Sequence, residues 1–352
     1  MNVEIIIACH APERRIDRAV RSVVVDNGDA ASATVVCHNI GAEAIQARIP
    51  AGIRDRVRVL EWRDGIPSPA GPFSYGLERA TAPWVGIMGS DDFYEPGAIA
   101  AMLDLADGAD AVMPTLRHDA GGAVRTPPVR PGRRALRDAV RDRLYYRSAP
   151  LGLIRRDFLL DHGELSLDAG LRVGEDLRMS TLLWTLGSVS VQRRGPGYVI
   201  GSDASDRVTM EPGPISEELR HVEAVWAGDQ LSMLTAVQLG ALGTKYLRVH
   251  IFGTAYYRAQ RDAWRRGDRE ALAAAASRVQ SAAPRAAEPL SRADRRLLDA
   301  ILDLSVPNAE VSALARARRR FGRPDTLLPR SARYLLHREA PLRFMAASAL
   351  VR

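Results

Sequence analysis

Two pairs of neighbouring carboxylates are the residues in this sequence best suited to do chemistry. Asp91 and Asp92 follow the apolar segment "WVGIMG" (84–89), and Glu175 and Asp176 follow a glycine about eighty residues further on. Adjacent carboxylates repel each other unless a cation lies between them or solvent screens them. The first pair, at the end of a strand-like run, therefore indicates either a divalent-cation site or a solvated turn that caps the next helix.

The second pair also has two interpretations. A carboxylate that faces a bound substrate can accept the proton of an attacking hydroxyl group and act as a general base. Acidic residues at the start of a helix are also stabilised by the helix dipole, and "LRMSTLLWTL" after Asp176 has a helical pattern. Catalysis and capping are compatible, so the pattern leaves both open.

The segments before the first acidic pair predict the sheet that would hold it. Four apolar runs have the length of buried strands, and most are rich in β-branched residues. These runs are "VEIIIAC" (3–9), "ATVVCHN" (33–39), "VRVLEW" (57–62) and "PWVGIMG" (83–89). The segments "ERRIDRAVRSVV" and "SYGLERAT" between them have helical spacing. Strands that alternate with helices predict an α/β fold with a mostly parallel, doubly wound sheet.

Polar residues follow three of these strands at the end where such sheets bind ligands. His10 follows the first strand, His38 and Asn39 close the second, and Asp91 and Asp92 follow the fourth. Because the carboxyl ends of parallel strands meet at one edge of a sheet, we predict that these residues face one crevice. Neither G-x-G-x-x-G nor G-x-x-x-x-G-K-[ST] follows the first strand, so the corresponding dinucleotide and P-loop sites are excluded.

The rest of the chain predicts a second, helical domain. The patterns indicate one strand over 109–117, a helix over 151–163 and a last pair of strands near residue 200. Beyond about residue 210 the patterns are helical only. We therefore predict a catalytic α/β domain over 1–210 and an α-helical C-terminal domain over 211–352.

The composition restricts the class of protein. The formal net charge is +7, but Lys245 is the only lysine. So strong a bias towards arginine reflects genome composition as readily as binding to a polyanion. We therefore expect no nucleic-acid partner. Cys9 and Cys37 have the spacing of neither a metal site nor a disulfide framework. No uncharged run approaches the roughly twenty residues that a transmembrane helix needs. We expect a cytoplasmic protein, soluble or peripheral at the inner face of the cell membrane.

Three segments, in this order, resemble the inverting GT-A glycosyltransferases of family 2. They are "IIIACHAPERRIDRAVRSV" (5–23), "MGSDDFYEPGAI" (88–99) and "LIRRDFLLDHGELSLDAGLRVGEDLRMSTLLW" (153–184). The resemblance covers residues 1–210 and implies a GT-A, Rossmann-like fold. It also implies transfer of a sugar from a nucleotide diphosphate to an acceptor hydroxyl with inversion, in the synthesis of a surface polysaccharide or a glycolipid.

The resemblance implies roles for both acidic pairs. Asp91 would ligate Mn²⁺ or Mg²⁺ together with the donor diphosphate, with Asp92 beside it as a further metal or substrate contact. Asp176 would be the general base, and Glu175 would bind hydroxyl groups of acceptor or donor. The residues that would contact the nucleotide sugar are Ala8, His10, Glu13, His38, Asn39, Ser90, Asp91, Asp92 and Arg207.

Three positions depart from the family pattern. Relatives carry two acids at the end of the second strand, where this chain has "VVCHN" (35–39). Residues 72–74, Pro-Phe-Ser, replace an Ala-Arg-Asn segment, and Arg207 would supply the missing cation. Gly89 replaces the first acid of a D-x-D-D motif, so the predicted metal role rests mainly on Asp91.

The resemblance also implies partners and leaves alternatives. We expect a nucleotide-sugar donor, a UDP-sugar first of all, and a glycan or lipid-linked acceptor. The arginines and apolar residues of 314–352 fit an anionic membrane surface and a packed helical end equally well, and the C-terminal helices could form a homodimer. Two other functions stay open: a degenerate GT-A domain that binds or assembles without catalysis, and a nucleotidyltransferase.

Overall fold

The protein divides into two compact units. The structure is a computed structural model, and it describes residues 1–130, 136–202 and 213–351. The first unit contains residues 1–125, 136–138 and 147–202, and the second contains residues 126–130, 139–146 and 213–351. The predicted boundary between residues 210 and 211 falls within 203–212, outside the described residues, and stays a prediction.

The strands lie in the first unit and form two sheets. In chain order they are β1 Val3–Cys9, β2 Ala31–His38, β3 Val57–Trp62, β4 Trp84–Gly89, β5 Phe93–Tyr94, β6 Ala111–Met113, β7 Leu116–His118, β8 Ala123–Val124, β9 Leu153–Arg155, β10 Val189–Val191 and β11 Tyr198–Ile200. The main sheet has the order β10-β6-β9-β4-β1-β2-β3, and the smaller sheet has the order β5-β11-β7-β8. Strand β1 pairs in parallel with β2 and β4, and β2 pairs in parallel with β3, which confirms the predicted mostly parallel sheet.

Helices cover both faces of the main sheet. Those of the first unit are α1 Ile16–Val24, α2 Ala42–Gln46, α3 Ala70–Glu78, α4 Ala98–Leu103, α5 Arg156–Asp161 and α6 Leu177–Leu186. Helix α1 shares one apolar core with Ile5 and Ile7 of β1. On the opposite face, a side-chain carbon at Gly76 of α3 would lie only 2.3 Å from Ile6, so glycine lets α3 approach the sheet closely. The sheet is therefore doubly wound, as predicted.

The predicted helix over 151–163 is wrong in its first part. Residues Leu153–Arg155 form β9, which lies antiparallel between β4 and β6 in the middle of the main sheet. Both Leu153 and Ile154 are fully buried there. Gly152 has a φ of +127°, and a side chain on it would collide with the carbonyl oxygen of Val112. The chain thus enters the sheet through a conformation that favours glycine, and only α5 is helical.

Two further predictions are corrected at the edge of the main sheet. The single strand predicted over 109–117 is two strands, β6 and β7, which belong to different sheets. The break falls at Pro114, which has no N–H group to donate to a ladder. Strands β10 and β11 do not pair with each other, because β10 extends the main sheet beside β6 and β11 lies between β5 and β7.

The described residues 213–351 of the second unit are organised mainly as helices, as predicted. These are α7 Ile215–Glu218, α8 Arg220–Trp226, α9 Ala236–Tyr246, α10 Phe252–Arg261, α11 Asp268–Ala282, α12 Arg292–Leu302, α13 Asn308–Ala317, α14 Pro324–Leu327 and α15 Pro341–Leu350. A π-helical turn over Leu247–Ile251 joins α9 to α10. Among the described residues, no helix has the length and apolar character needed to cross a membrane.

Candidate active site

The strand register places the first acidic pair beside the end of β1. Ala8 of β1 is level with Gly89 of β4, and Cys9 is level with Cys37 of β2. The residues that follow these strands therefore leave the sheet at the same edge. This edge carries His10, His38 and the Asp91–Asp92 pair.

The carboxylate of Asp92 is held by groups from the smaller sheet. Its Oδ2 accepts a hydrogen bond of 2.6 Å from the hydroxyl of Tyr198, and its Oδ1 accepts one of 2.8 Å from the backbone N–H of Gly201. The Asp92 N–H also closes a turn on the carbonyl oxygen of Gly89, at 3.1 Å. Helix α4 has Gly97 at its N-cap position. The acidic pair therefore does not cap the following helix, which was the alternative to a binding role.

Two arginines near the start of α1 surround Asp91. Arg14, which is buried, places Nη1 3.3 Å from Oδ2 of Asp91. Arg18 donates a hydrogen bond of 2.6 Å to the Asp91 carbonyl oxygen and stacks on the ring of Phe93, with its guanidinium carbon 4.6 Å from the ring centroid. Both cations offset part of the negative charge of the pair.

The missing first acid leaves a cradle between the two carboxylates. A side-chain carbon built on Gly89 would lie 3.0 Å from Oδ1 of Asp91 and 3.0 Å from Oδ2 of Asp92. Among the described residues, no three His, Cys, Asp or Glu side chains come together as a metal site. Mg²⁺ is commonly held by one or two carboxylates with substrate phosphates and water completing its shell. The carboxylate oxygens of Asp91 and Asp92 therefore fit a cation that also binds a diphosphate.

The second acidic pair lies at the start of α6. Asp176 is the N-cap residue of α6, but its side chain makes no capping hydrogen bond. The Glu175 carbonyl oxygen accepts a hydrogen bond of 2.8 Å from the N–H of Asp168, whose carboxylate pairs with Arg178 at 2.7 Å. Burial, and then the neighbouring carboxylates of Asp176 and Asp168, raises the pKa of Glu175 to about 8. A protonated Glu175 can donate a hydrogen bond near neutral pH.

A third polar cluster closes the ends of β2 and β3. Nε2 of the buried His38 lies 2.9 Å from Oδ1 of Asp64 and 3.0 Å from Nδ2 of Asn39. The Asp64 carboxylate also accepts hydrogen bonds from the Trp62 indole and the Ile66 N–H, at 2.8 and 2.9 Å. Burial alone would raise the pKa of Asp64, but the hydrogen bonds from His38, Ile66 and Trp62 lower it to about 2. Asp64 is therefore a fixed anion beside His38.

The family profile described as Glycosyl transferase family 2 matches residues 5–163. We refer to residues 5–163 as the family 2 domain, after the profile that they match. This range contains the Asp91–Asp92 pair and the cluster around Asp64, and the Glu175–Asp176 pair follows it. The resemblance inferred from the sequence is confirmed, because these residues are similar to those of family 2 glycosyltransferases.

Relatives of the family 2 domain agree with this assignment. The chain is 25% identical over 243 residues to the succinoglycan biosynthesis protein ExoO of Rhizobium meliloti (strain 1021), a match that covers 65% of this chain and 67% of the relative. Crystal structures of S. aureus TarS 1-349, alone and in complex with UDP-GlcNAc, match with TM-scores of 0.70 and 0.73 at 14% identity. They cover 91% of this chain and 91% and 92% of their own. The fold is thus a GT-A fold with a helical C-terminal region.

The other predicted donor contacts differ in exposure. Ala8 is half-buried on β1, and Ser90, directly before the acidic pair, is buried. His10 and Glu13 are exposed after β1, where a ligand could reach them. Arg207 lies outside the described residues, so its predicted role stays a prediction.

The two thiols of the family 2 domain are unsuited to be nucleophiles. Both Cys9 and Cys37 are fully buried. Burial raises the pKa of Cys9, and burial followed by the neighbouring Cys9 and Glu61 raises the pKa of Cys37 to about 12. Both thiols remain protonated at neutral pH, and a thiol is a much weaker nucleophile than a thiolate.

Sequence reasoning missed three residues of this site, each for a different reason. Asp64, in an Asp-Gly pair directly after the third strand, had the same signal as Asp91 and could have been found. Arg14 had no distinguishing signal among the many arginines of this chain. Tyr198 is distant from Asp92 in sequence, and no local pattern connects two such residues.

Proposed function

We propose that the protein transfers a sugar from a UDP-sugar to an acceptor hydroxyl, with inversion at the anomeric carbon, during synthesis of a polysaccharide or glycolipid. The ExoO relative is described as a succinoglycan biosynthesis protein. Structures of S. aureus TarS 1-349 with UDP-GlcNAc and with UDP match this fold over 91% of the chain. The observation that carries the proposal is the convergence of two carboxylates over Gly89, at the carboxyl edge of the sheet, beside Arg14.

In this proposal Asp91 and Arg14 receive the diphosphate of the donor. Asp91 would hold Mn²⁺ or Mg²⁺ through Oδ1, which faces the space beside Gly89, while its Oδ2 faces Arg14. Hydrogen bonds from Tyr198 and Gly201 fix the position of the Asp92 carboxylate, which would contact the cation or the donor. When bound, the cation would neutralise charge that develops on the diphosphate leaving group.

The second acidic pair would activate the acceptor. Asp176 would take the hydroxyl proton as the acceptor oxygen forms its bond to the anomeric carbon and the bond from that carbon to the diphosphate oxygen breaks. Glu175, whose pKa is raised by burial, would keep its proton and donate a hydrogen bond to a sugar hydroxyl. Two adjacent carboxylates with different protonation states would thus have two roles.

His38 and Asn39 would contact the nucleobase of the donor. Relatives carry acids at the end of the second strand, and here an acid is supplied from the third strand by Asp64, 2.9 Å from His38. An imidazole oriented by a carboxylate can donate to, or accept from, a base edge. Uracil has both donors and acceptors on that edge, so this cluster is compatible with the proposed UDP-sugar.

Titration calorimetry tests the proposal. UDP, GDP, CDP and dTDP are each titrated with and without Mn²⁺ into the wild type and into Asp91→Asn, and release of UDP from UDP-sugars is followed with candidate acceptors. We expect UDP to bind best, Mn²⁺ to strengthen its binding, and Asp91→Asn to remove that gain. Absence of binding by any nucleotide would instead favour a degenerate binding or assembly module.

A further inference from the structure

Helix α15 exposes an apolar face to solvent. Leu342, Met345 and Leu350 are 40%, 42% and 59% exposed, and their spacing, with Ala346 and Ala349, places them on one side of the helix. Leu336, which is 77% exposed, lies close to α15, because Arg343 of α15 donates a hydrogen bond of 2.9 Å to its carbonyl oxygen. We call Leu336, Leu342, Met345 and Leu350 the apolar stripe.

The opposite side of α15 is anchored, so the stripe has a fixed orientation. The ring of Phe344 packs 4.8 Å from the ring of Tyr146, and the guanidinium carbons of Arg143 and Arg248 lie 5.4 and 5.5 Å from its centroid. Pro341 at the helix start is buried. The helix therefore already has a packed side, and the stripe lies outside it. Exposed apolar residues grouped on one face commonly mark an interaction surface.

The segment that carries the stripe has more arginines than acidic residues. Residues 313–351 contain nine arginines and only two acidic residues. Of these acids, Asp325 pairs with Arg296, and Glu339 is buried, where it accepts a hydrogen bond of 2.8 Å from Tyr146 and pairs with Arg248. From outside the segment, Asp294 pairs with Arg318 and Asp299 pairs with Arg330, while the half-buried Glu288 is hydrogen-bonded to Tyr334.

The exposed charged residues nearest to the stripe in sequence are cationic. Arg343 lies on α15 itself, and Arg333 precedes Leu336; both are exposed. A helix that combines an apolar face with arginines suits the interface of an anionic bilayer, where the apolar side chains enter the acyl boundary and the guanidinium groups meet lipid phosphates.

We propose that the apolar stripe and its arginines dock the protein on the surface of an anionic lipid bilayer. A second copy of the chain fits this surface less well, because a two-fold contact would bring the same arginines against each other. Docking here would hold the enzyme, whose nucleotide-sugar donor is soluble, next to lipid-linked acceptors in the bilayer. The inference concerns the second unit and does not depend on the roles proposed for Asp91 and Asp176.

Flotation with vesicles tests this inference on the full chain. Vesicles of phosphatidylglycerol and phosphatidylcholine in equal parts are compared with vesicles of phosphatidylcholine alone, at low and high salt. We expect binding to the anionic vesicles only, weakened by salt. The double variant Leu342→Ser, Met345→Ser should reduce the bound fraction at least tenfold, roughly the loss expected from removing two apolar side chains from the interface. Arg343→Gln should weaken binding by about fivefold.

Matched variants separate the stripe from general surface effects. Leu304→Ser replaces a leucine that is 55% exposed outside the stripe, and Arg266→Gln replaces an exposed arginine elsewhere in the second unit. Both should keep wild-type vesicle binding, and circular dichroism should show that every variant folds. Equal binding to zwitterionic vesicles, equal loss in the matched variants, or failure to float with anionic vesicles would overturn the proposal. So would a dimer, seen by sedimentation equilibrium, that the double variant dissociates.

Discussion

The hydroxyl of Tyr198 donates a hydrogen bond of 2.6 Å to the carboxylate of Asp92 and joins the smaller sheet to the end of β4. The ring of Tyr198 is fully buried, and it packs edge-on against Tyr94 with 5.2 Å between ring centroids. Water cannot easily replace this phenol, because its surroundings are closed. The geometry of the acidic pair in the family 2 domain therefore depends on β11, which follows the matched residues 5–163.

Tyr198→Phe is expected to loosen the donor site and destabilise the first unit. The change removes the hydrogen bond from the phenol to the charged carboxylate of Asp92, which lowers the free energy of unfolding by about 1.5–3 kcal/mol. We expect a lower midpoint in urea unfolding and a several-fold weaker affinity for UDP with Mn²⁺. Tyr94→Phe is the matched control, since the Tyr94 hydroxyl is buried and has no hydrogen-bond partner among the described residues. Equal effects of the two changes would contradict the role of the Tyr198 hydroxyl.

Gly89→Ala is expected to fill the cradle between the two carboxylates. The added carbon would lie 3.0 Å from an oxygen of each aspartate, so it would displace a cation or push the carboxylates apart. We expect affinity for UDP in the presence of Mn²⁺ to fall about tenfold, or about 1.4 kcal/mol. Affinity measured in EDTA should change little.

Gly52→Ala serves as the control for Gly89→Ala. Gly52 lies in the same unit, and a side-chain carbon there would meet no atom within 4 Å. Its Mn²⁺-dependent UDP affinity should equal that of the wild type. If Gly89→Ala also retained that affinity, the cradle would not be the cation site.

Asp176→Asn is expected to abolish transfer and spare donor binding. Loss of a general base lowers kcat by about 10² to 10⁴. Calorimetry should still show Mn²⁺-dependent binding of UDP, because the change lies on α6 and not at the end of β4. Asp161→Asn, at an exposed aspartate of α5, should retain full activity. If Asp176→Asn turned over at close to the wild-type rate, a residue other than Asp176 would be the general base.

The fold was predictable where apolar runs were long enough to define a strand. The runs over β1 to β4 and the helix α6 were found from pattern alone, and so was the sheet edge that carries Asp91. The three-residue strand β9 was not found, because Leu153 and Ile154 continue into the helical pattern of α5 without a visible break. Arg14 and Tyr198 reach the acidic pair only through tertiary packing. A single sequence does not record such contacts between distant segments.

The raised pKa of Glu175 predicts a pH-dependent stability. Burial and the Asp176 carboxylate raise this pKa from 4.5 to about 8, so the folded state binds the proton more tightly than the unfolded state. The stability that this proton contributes is complete below pH 4.5 and is lost as the pH rises through about 8. Glu175→Gln removes the titration, so its Tm should fall less than that of the wild type between pH 5 and pH 9. Asp176→Asn removes the second cause of the raised pKa of Glu175. In this variant the loss of stability should therefore occur at a lower pH than in the wild type. Parallel Tm profiles for the wild type and Glu175→Gln would show that Glu175 does not keep its proton at neutral pH.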